Sequence, residues 1–230
     1  LDDADAIKEG LETPAVITVQ VDNSGNVVNT DGLEVENVEL VGGDAPIFDV
    51  RGWAVERGRP FTEQEAERGA SVVVLGFDVA EALFPDEDPL GQRVQISGFP
   101  FRVIGVIERL GSVLVVSRDN RAVAPFNSPM GRIVSSRGWL EEIIVQTPTP
   151  ELVSTAQSEV EGIMRVHRRL RPADGNNFAV ETAAESLSFW DNISRILFVA
   201  FPTLVAISLI VGGIVIMNIM LVSVMERTRE

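Results

Sequence analysis

The side chains that most often carry chemistry are scarce or scattered in this chain. There is one histidine, His167, and no cysteine. The lack of cysteine rules out disulfides, thiolate metal sites, iron–sulfur clusters and a thiol nucleophile. A single histidine rules out a multi-histidine metal site within the chain. His167 shares a helical face with Leu152, Ala156, Val160, Ile163 and Leu170, so it is expected at the edge of a core. The run Asp86-Glu87-Asp88 opens like a calcium loop but does not end like one. Its twelfth position is Ser97 rather than Glu, and Pro89 interrupts it. The stretch Asp22–Asn26 fails in the same way, with Leu33 at the twelfth position. Both read as solvated turns. No G-x-S-x-G elbow supports serine hydrolase chemistry. No Walker A or G-x-G-x-x-G loop is present, so the segment hydrolyses no ATP itself and no cofactor is expected in it. The 34 acidic residues offer many carboxylate pairs, but no spacing singles out one for glycosidase-type work.

Two further groups of residues suggest contacts rather than catalysis. Arg165, Arg168, Arg169 and Arg171 crowd the end of one predicted helix. Cations there complement the helix dipole, and the alternative is a contact with lipid phosphates or an acidic partner. Near the C-terminus, Ser208 and Gly212 form a small-xxx-small pair on a face shared with Val215, Ile219, Val222 and Glu226. Gly213 and Asn218 flank that face. Asn218 is a polar residue in an apolar run and is expected to face protein rather than lipid. The candidate packing and coupling residues are therefore Ser208, Gly212, Gly213 and Asn218, with Glu226, Arg227 and Arg229 just beyond the apolar run.

The elements that position these residues divide sharply. From Ile196 to Val224 no residue is charged. As a helix this stretch would be about 43 Å long, against about 30 Å of bilayer hydrocarbon. A soluble core helix rarely stays apolar on every face for so many turns, so the stretch reads as one transmembrane helix, with Pro202 as a possible bend. Arg227 and Arg229 offset Glu226 and Glu230, so the whole formal charge of −15 lies before residue 196. An acidic head is tethered to a neutral membrane anchor. Such charge disfavours nucleic acid and anionic lipid surfaces as nonspecific partners. The first residue is not methionine and the last lies within a charged run, which reads as an internal segment of a larger membrane protein.

The head reads as α+β. Leu1–Glu9 is a short helix, Val16–Val21 a strand, Asp22–Asn26 a turn, and Val35–Val41 an alternating strand. Thr62 and Glu65 form a capping box for a helix that Gly69 ends. Ser71–Leu75 is an apolar strand, and Asp78–Phe84 a second helix. Arg93–Ile96 and Phe99–Ile107 form a hairpin through Ser97-Gly98. Arg121–Pro125 is another strand and Asn127–Ser136 a loop. Glu142–Gln146, a helix capped by Thr149 with Pro150 at its first position, and Phe178–Glu181 read as a βαβ unit. The outer segments, 1–44 and 139–185, would share one layer, with 45–138 inserted as a small α/β subdomain. Residues 186–230 form stalk and membrane helix.

The stretches FDVRGWAVERGRPFTEQE (Phe48–Glu65) and LGFDVAEALFPDEDPLGQRVQISGFPFRVIGVIE (Leu75–Glu108) resemble the extracytoplasmic core of MacB-type ABC transporter permeases. IVGGIVIMNIMLVSVMERTRE (Ile210–Glu230) resembles the start of the FtsX-like permease domain. The resemblance covers nearly the whole chain, in the expected order. It implies a porter-like extracytoplasmic domain with a small α/β insertion, followed by a long transmembrane helix. It implies a bacterial inner-membrane permease segment, residues 1–195 outside the cytoplasm, working as a dimer with an ABC ATP-binding domain or subunit. ATP and Mg would sit on that partner. The implied role is mechanotransmission: ATP-driven movement passes through the long helix to the outside domain during export or efflux. A membrane-fusion protein and an outer-membrane channel are implied as further partners. The alternative is a membrane-anchored sensor or ligand-binding domain without ATP coupling, and a tethered hydrolase is the third reading.

Overall fold

A computed structural model describes residues 2–113, 116–135 and 142–227. The chain forms two compact units, up to Asn176 and from Asn177 onward. In the first unit, the head, the order is α1 (Asp2–Gly10), β1 (Val16–Asn29), β2 (Glu34–Gly43), α2 (Ile47–Arg51), β3 (Val55–Gly58), α3 (Glu63–Glu67) and β4 (Val72–Leu75). Then follow α4 (Phe77–Leu83), β5 (Arg93–Ile96), β6 (Phe99–Ile107), β7 (Ser112–Val113), β8 (Val116–Ser117), β9 (Arg121–Pro125), α5 (Pro129–Val134) and β10 (Glu142–Gln146). A 3-10 turn (Pro150–Leu152) leads into α6 (Val153–His167). The second unit contains α7 (Ala183–Arg227).

The head is built on one eight-stranded sheet in the order β10-β1-β2-β9-β4-β6-β3, with β5 bridging β1 and β6. The β2–β9 and β4–β6 pairs are parallel and the others antiparallel. Strands from both sides of residues 44 and 138 thus share one sheet: β2 pairs β9, and β1 pairs β5.

The run Val72–Leu75 explains how the core is layered. Successive strand side chains point to opposite faces. Val73 and Leu75 join one apolar cluster with Leu40, Ala122, Val79 and Leu83, beneath α4 and α5. Val72 and Val74 join the other, with Val41, Phe48, Trp53, Phe61 and Val123, around α2 and α3. A strand covered on both faces needs no polar alternation, which is why this one is wholly apolar. Away from these clusters, α1 packs on α6, with Ala4, Ile7, Ala156, Val160 and Met164 buried.

Several sequence expectations stand. Thr62 and Glu65 form the capping box of α3. Ser97 and Gly98 turn the β5–β6 hairpin with φ of 50° and 83°, the left-handed pair that a type I′ turn requires.

Others are corrected. Asp22–Asn26 is not a turn but the middle of β1, whose partner β2 continues past it with a bulge between Gly25 and Val27. Gly25 serves close packing there: a Cβ would lie 2.5 Å from Leu40 Cδ1. The chain reverses later, where Asn29 Oδ1 accepts the N–H groups of Asp31 and Leu33, both at 2.9 Å, and Gly32 takes a φ of 86°. Asn127–Ser136 is not wholly loop, because Ser128 accepts the Met130 N–H at 3.1 Å and starts α5 with Pro129 in its first turn. Thr149 makes no side-chain cap; the 3-10 turn precedes α6 instead. Phe178–Glu181 is not a strand. The chain before it curls back on α6: Arg165 Nη2 donates to the carbonyls of Arg171 and Asp174 at 2.8 and 3.2 Å, and Asn176 Nδ2 donates to Glu161 at 2.7 Å.

Candidate functional site: the apolar helix and the clips of the head

Helix α7 starts at a capping box. The Thr182 N–H donates to Glu185 Oε2 at 2.8 Å, and the Glu185 N–H donates to Thr182 Oγ1 at 3.2 Å. From there the helix runs for 45 residues. Pro202 lies inside it and cannot donate to the Phe198 carbonyl, yet the helix continues. The stretch Ala183–Leu221 is long and apolar enough to cross a membrane, and none of it is buried within the chain. Ile196, Phe198, Leu204, Leu209 and Ile219 are all more than half exposed. This is the pattern of a helix whose apolar partners are lipid or other chains.

Two hydroxyls in the apolar stretch are satisfied within the helix. Thr203 Oγ1 donates to the Val199 carbonyl at 2.7 Å and Ser208 Oγ to the Leu204 carbonyl at 3.0 Å. Ser208 can therefore sit in hydrocarbon without an unpaired donor. Gly212 and Gly213 have open space around them: a Cβ at either would meet nothing within 4 Å. Their smallness is not required by any packing among the described residues. Asn218 is exposed and its carboxamide has no hydrogen-bond partner among the described residues. Glu226 and Arg227 fall in the last turn of α7, and Arg229 lies outside the described residues. The helix thus carries Ser208, Gly212, Gly213 and Asn218 within three turns, but joins them to no other side chain.

In the head, two sets of polar contacts hold α1 against α6. Arg168 Nη2 lies 2.6 Å from Asp3 Oδ2, and His167 Nε2 lies 3.5 Å from Asp3 Oδ1. The hydrogen bond from Arg168 holds the Asp3 carboxyl below its usual range. The expected core-edge His167 is thus at the helix edge beside a carboxylate. At the other end of α1, Glu159 accepts the N–H groups of Thr13 and Glu12 at 3.0 and 3.1 Å and the Thr13 hydroxyl at 2.8 Å. The Thr13 backbone bond is the main cause of its lowered pKa.

A third set fixes the short β7–β8 ribbon. Asp119 accepts from the Leu110 and Gly111 N–H groups at 2.7 and 2.9 Å, and Ser117 donates to Asp78 at 2.6 Å. Nearby, Arg121 lies over the Trp53 ring at 4.6 Å and pairs with Glu39 at 3.0 Å. Burial pushes its guanidinium pKa down, and Glu39 opposes that shift. Sequence reasoning missed the Arg121–Trp53–Glu39 group because its members come from three separated segments. Among the described residues no three His, Asp or Glu side chains converge as a metal site. Asp86–Asp88 lie in an exposed turn, where Asp88 accepts the Leu90 N–H at 3.1 Å. Among the described residues these contacts join elements of the head to one another.

Comparison with known proteins agrees with these features. Residues 1–163 match the MacB-like periplasmic core domain. The chain is 33% identical over 220 residues to the pyoverdine export ATP-binding/permease protein PvdT of Pseudomonas aeruginosa, covering 94% of this chain and 32% of the relative. It is 32% identical over 232 residues to the macrolide export ATP-binding/permease protein MacB of Bdellovibrio bacteriovorus, covering 100% and 35%. The chain therefore spans about a third of the length of the curated relatives it matches. Two solved structures share the fold. The periplasmic region of MacB from Actinobacillus actinomycetemcomitans superposes with a TM-score of 0.58 at 24% identity, covering 73% of this chain and 72% of that one. The extracellular domain of the ABC-type transporter YknZ from Gram-positive bacteria gives 0.60 at 21% identity, covering 75% and 85%. A head with this sheet and this family match, in a chain with a helix long enough to cross a membrane, belongs to the MacB-type ABC transporter permeases.

Proposed function

We propose that this chain is the permease segment of an ABC exporter of the bacterial inner membrane, and that α7 carries ATP-driven movement to the extracytoplasmic head. The observation that carries this reading is the length of α7. Its 45 residues span about 68 Å, roughly twice the hydrocarbon thickness of about 30 Å. A helix that only anchors a head needs no such surplus. A helix that joins compartments mechanically does, and continuous intrahelical hydrogen bonding makes it stiff along its axis.

The chain has no nucleotide-binding loop, so ATP and Mg belong to a partner ATP-binding domain or subunit. That the relatives bear the name ATP-binding/permease protein supports this division of labour. A second permease copy would pack against Ser208 and Gly212, where small side chains let helices approach closely, with Asn218 finding its partner across that contact. Exposed Phe189 and Trp190, in edge contact at 6.2 Å, suit the outer membrane interface. Arg227 and Arg229 then lie on the cytoplasmic side. A membrane-fusion protein and an outer-membrane channel complete the proposed assembly.

The test is a flexible break in α7. Four glycines inserted after Ser194 in the complete transporter should leave basal ATP hydrolysis in place and abolish export. Export at the wild-type rate through the broken helix would contradict the proposal.

A further inference from the structure

Two features set the end of α6 apart. The head is acidic, yet Arg165, Arg168, Arg169 and Arg171 fall within seven residues, with no acid between them. Two of these cations are spent internally, Arg165 on the 171–176 curl and Arg168 on Asp3. Arg169 and Arg171 have no side-chain partner among the described residues.

The second feature is backbone. The Leu170 N–H donates to the Arg165 carbonyl at 2.9 Å and the Arg169 N–H to the Val166 carbonyl at 3.0 Å. These two bonds are a Schellman motif, and they place Arg169 in its left-handed position, with a φ of 53°. Glycine is the favoured residue there because it has no Cβ to strain. An arginine at that position costs the fold something and gives it no contact in return.

The surface beside it is apolar. Val166 is 79% exposed, far more than any other large aliphatic residue described in the head. With Gly162, Leu170 and Pro172 it lines an open cleft to which Glu161, Arg165 and Arg169 also contribute. A phosphate would need converging free donors, and the Arg165 donors are already occupied. Apolar area bordered by unpaired cations instead fits a segment that brings both carboxylates and aliphatic side chains.

We propose that this cleft on α6 docks an acidic amphipathic segment of a partner polypeptide, with Val166 and Leu170 meeting its aliphatic face and Arg169 and Arg171 meeting its carboxylates. The net negative charge of the head favours this placement, because an acidic partner is repelled by that charge and drawn to a local cluster of arginines. The inference does not depend on α7 acting as a coupling rod.

The test uses the full chain in phosphatidylcholine nanodiscs and a fluorescein-labelled helical peptide with Leu and Glu along one face. Anisotropy should report binding that weakens with salt and is absent for the same peptide with Gln in place of Glu. Arg169→Gly should weaken binding about tenfold while the unfolding midpoint of the head stays level or rises, since glycine suits the left-handed site. Val166→Ser should also weaken it, and Arg132→Ser, on α5, should not. Equal binding by the Arg169→Gly chain, equal binding of the Gln peptide, or a lower midpoint in Arg169→Gly would overturn the proposal. So would Arg169-dependent flotation with phosphatidylglycerol–phosphatidylethanolamine vesicles in place of peptide binding, which would assign the cleft to a membrane.

Discussion

Arg168 and Asp3, separated by nearly the whole head in sequence, meet at 2.6 Å and tie the end of α6 to the first turn of α1. Glu159 makes the matching tie at the other end of α1. The helix through which the chain enters the head is therefore held at both ends by polar clips. Between the clips, Ala4 and Ile7 are buried.

The Asp3 clip should be pH-dependent. Its carboxyl pKa is lowered in the folded head, so its contribution is present above the ordinary carboxylate range and is lost as pH falls through the lowered value. Both partners are partly exposed, which limits the contribution to below about 1 kcal/mol. Protection of α1 amides, taken relative to the intrinsic exchange rate at each pH, should fall in acid and in Asp3→Asn at neutral pH, with that of strands β4 and β6 unchanged. Unaltered protection in α1 would remove the clip from the account.

Glu65 gives a second acid-sensitive element. Paired with Arg59 at 2.7 and 2.8 Å and bonded to Thr62, it has a pKa lowered to about 2. Because the folded value is depressed, its stabilisation is intact above the unfolded carboxylate value and fades as pH falls toward ~2. Thr62→Ala should cost about 1 kcal/mol at neutral pH by removing the cap. Glu65→Gln should flatten the acid limb of the stability profile, as read by thermal unfolding across that range.

Gly76 is a tight point between α4 and the β7–β8 ribbon. A Cβ there would lie 2.1 Å from the Asp119 carbonyl oxygen, a backbone atom with little freedom to move. Gly76→Ala should destabilise the head by about 1–3 kcal/mol. Gly162→Ala, where a Cβ meets nothing within 4 Å, should be neutral or stabilising. Denaturant midpoints of the two variants separate these outcomes.

Much of the head was legible because its signals are local. Thr62 and Glu65 specify a helix start within four residues, and Ser97-Gly98 a turn within two. The apolar run at Val72–Leu75 marks a strand buried on both faces. The errors arose where a distant contact decides. Gly25 reads as a turn residue until Leu40 is seen against it, and then it is a strand residue kept small. Phe178–Glu181 has strand composition, but Arg165 and Glu161 hold the preceding curl on α6. The Arg121–Trp53–Glu39 group carries no sequence signal, because nothing within one segment announces it. On α7 the small and polar positions are visible in sequence, but among the described residues nothing packs against Gly212 or Gly213.

Gly212 is the sharpest test of what this face of α7 meets. Gly212→Leu should impair dimer packing or coupling in the complete transporter, lowering both stimulated ATP hydrolysis and export. Gly212→Ala should be far milder. Wild-type activity in Gly212→Leu would mean that this face of α7 meets only lipid.

The most direct measurement concerns how α7 crosses the membrane. The chain has no cysteine of its own, so single cysteines can be placed at Leu187 and Arg227 and probed in intact cells with a membrane-impermeant maleimide. The account predicts labelling from outside at position 187, and labelling at position 227 only after the membrane is permeabilised. Labelling of position 227 from outside intact cells would contradict it.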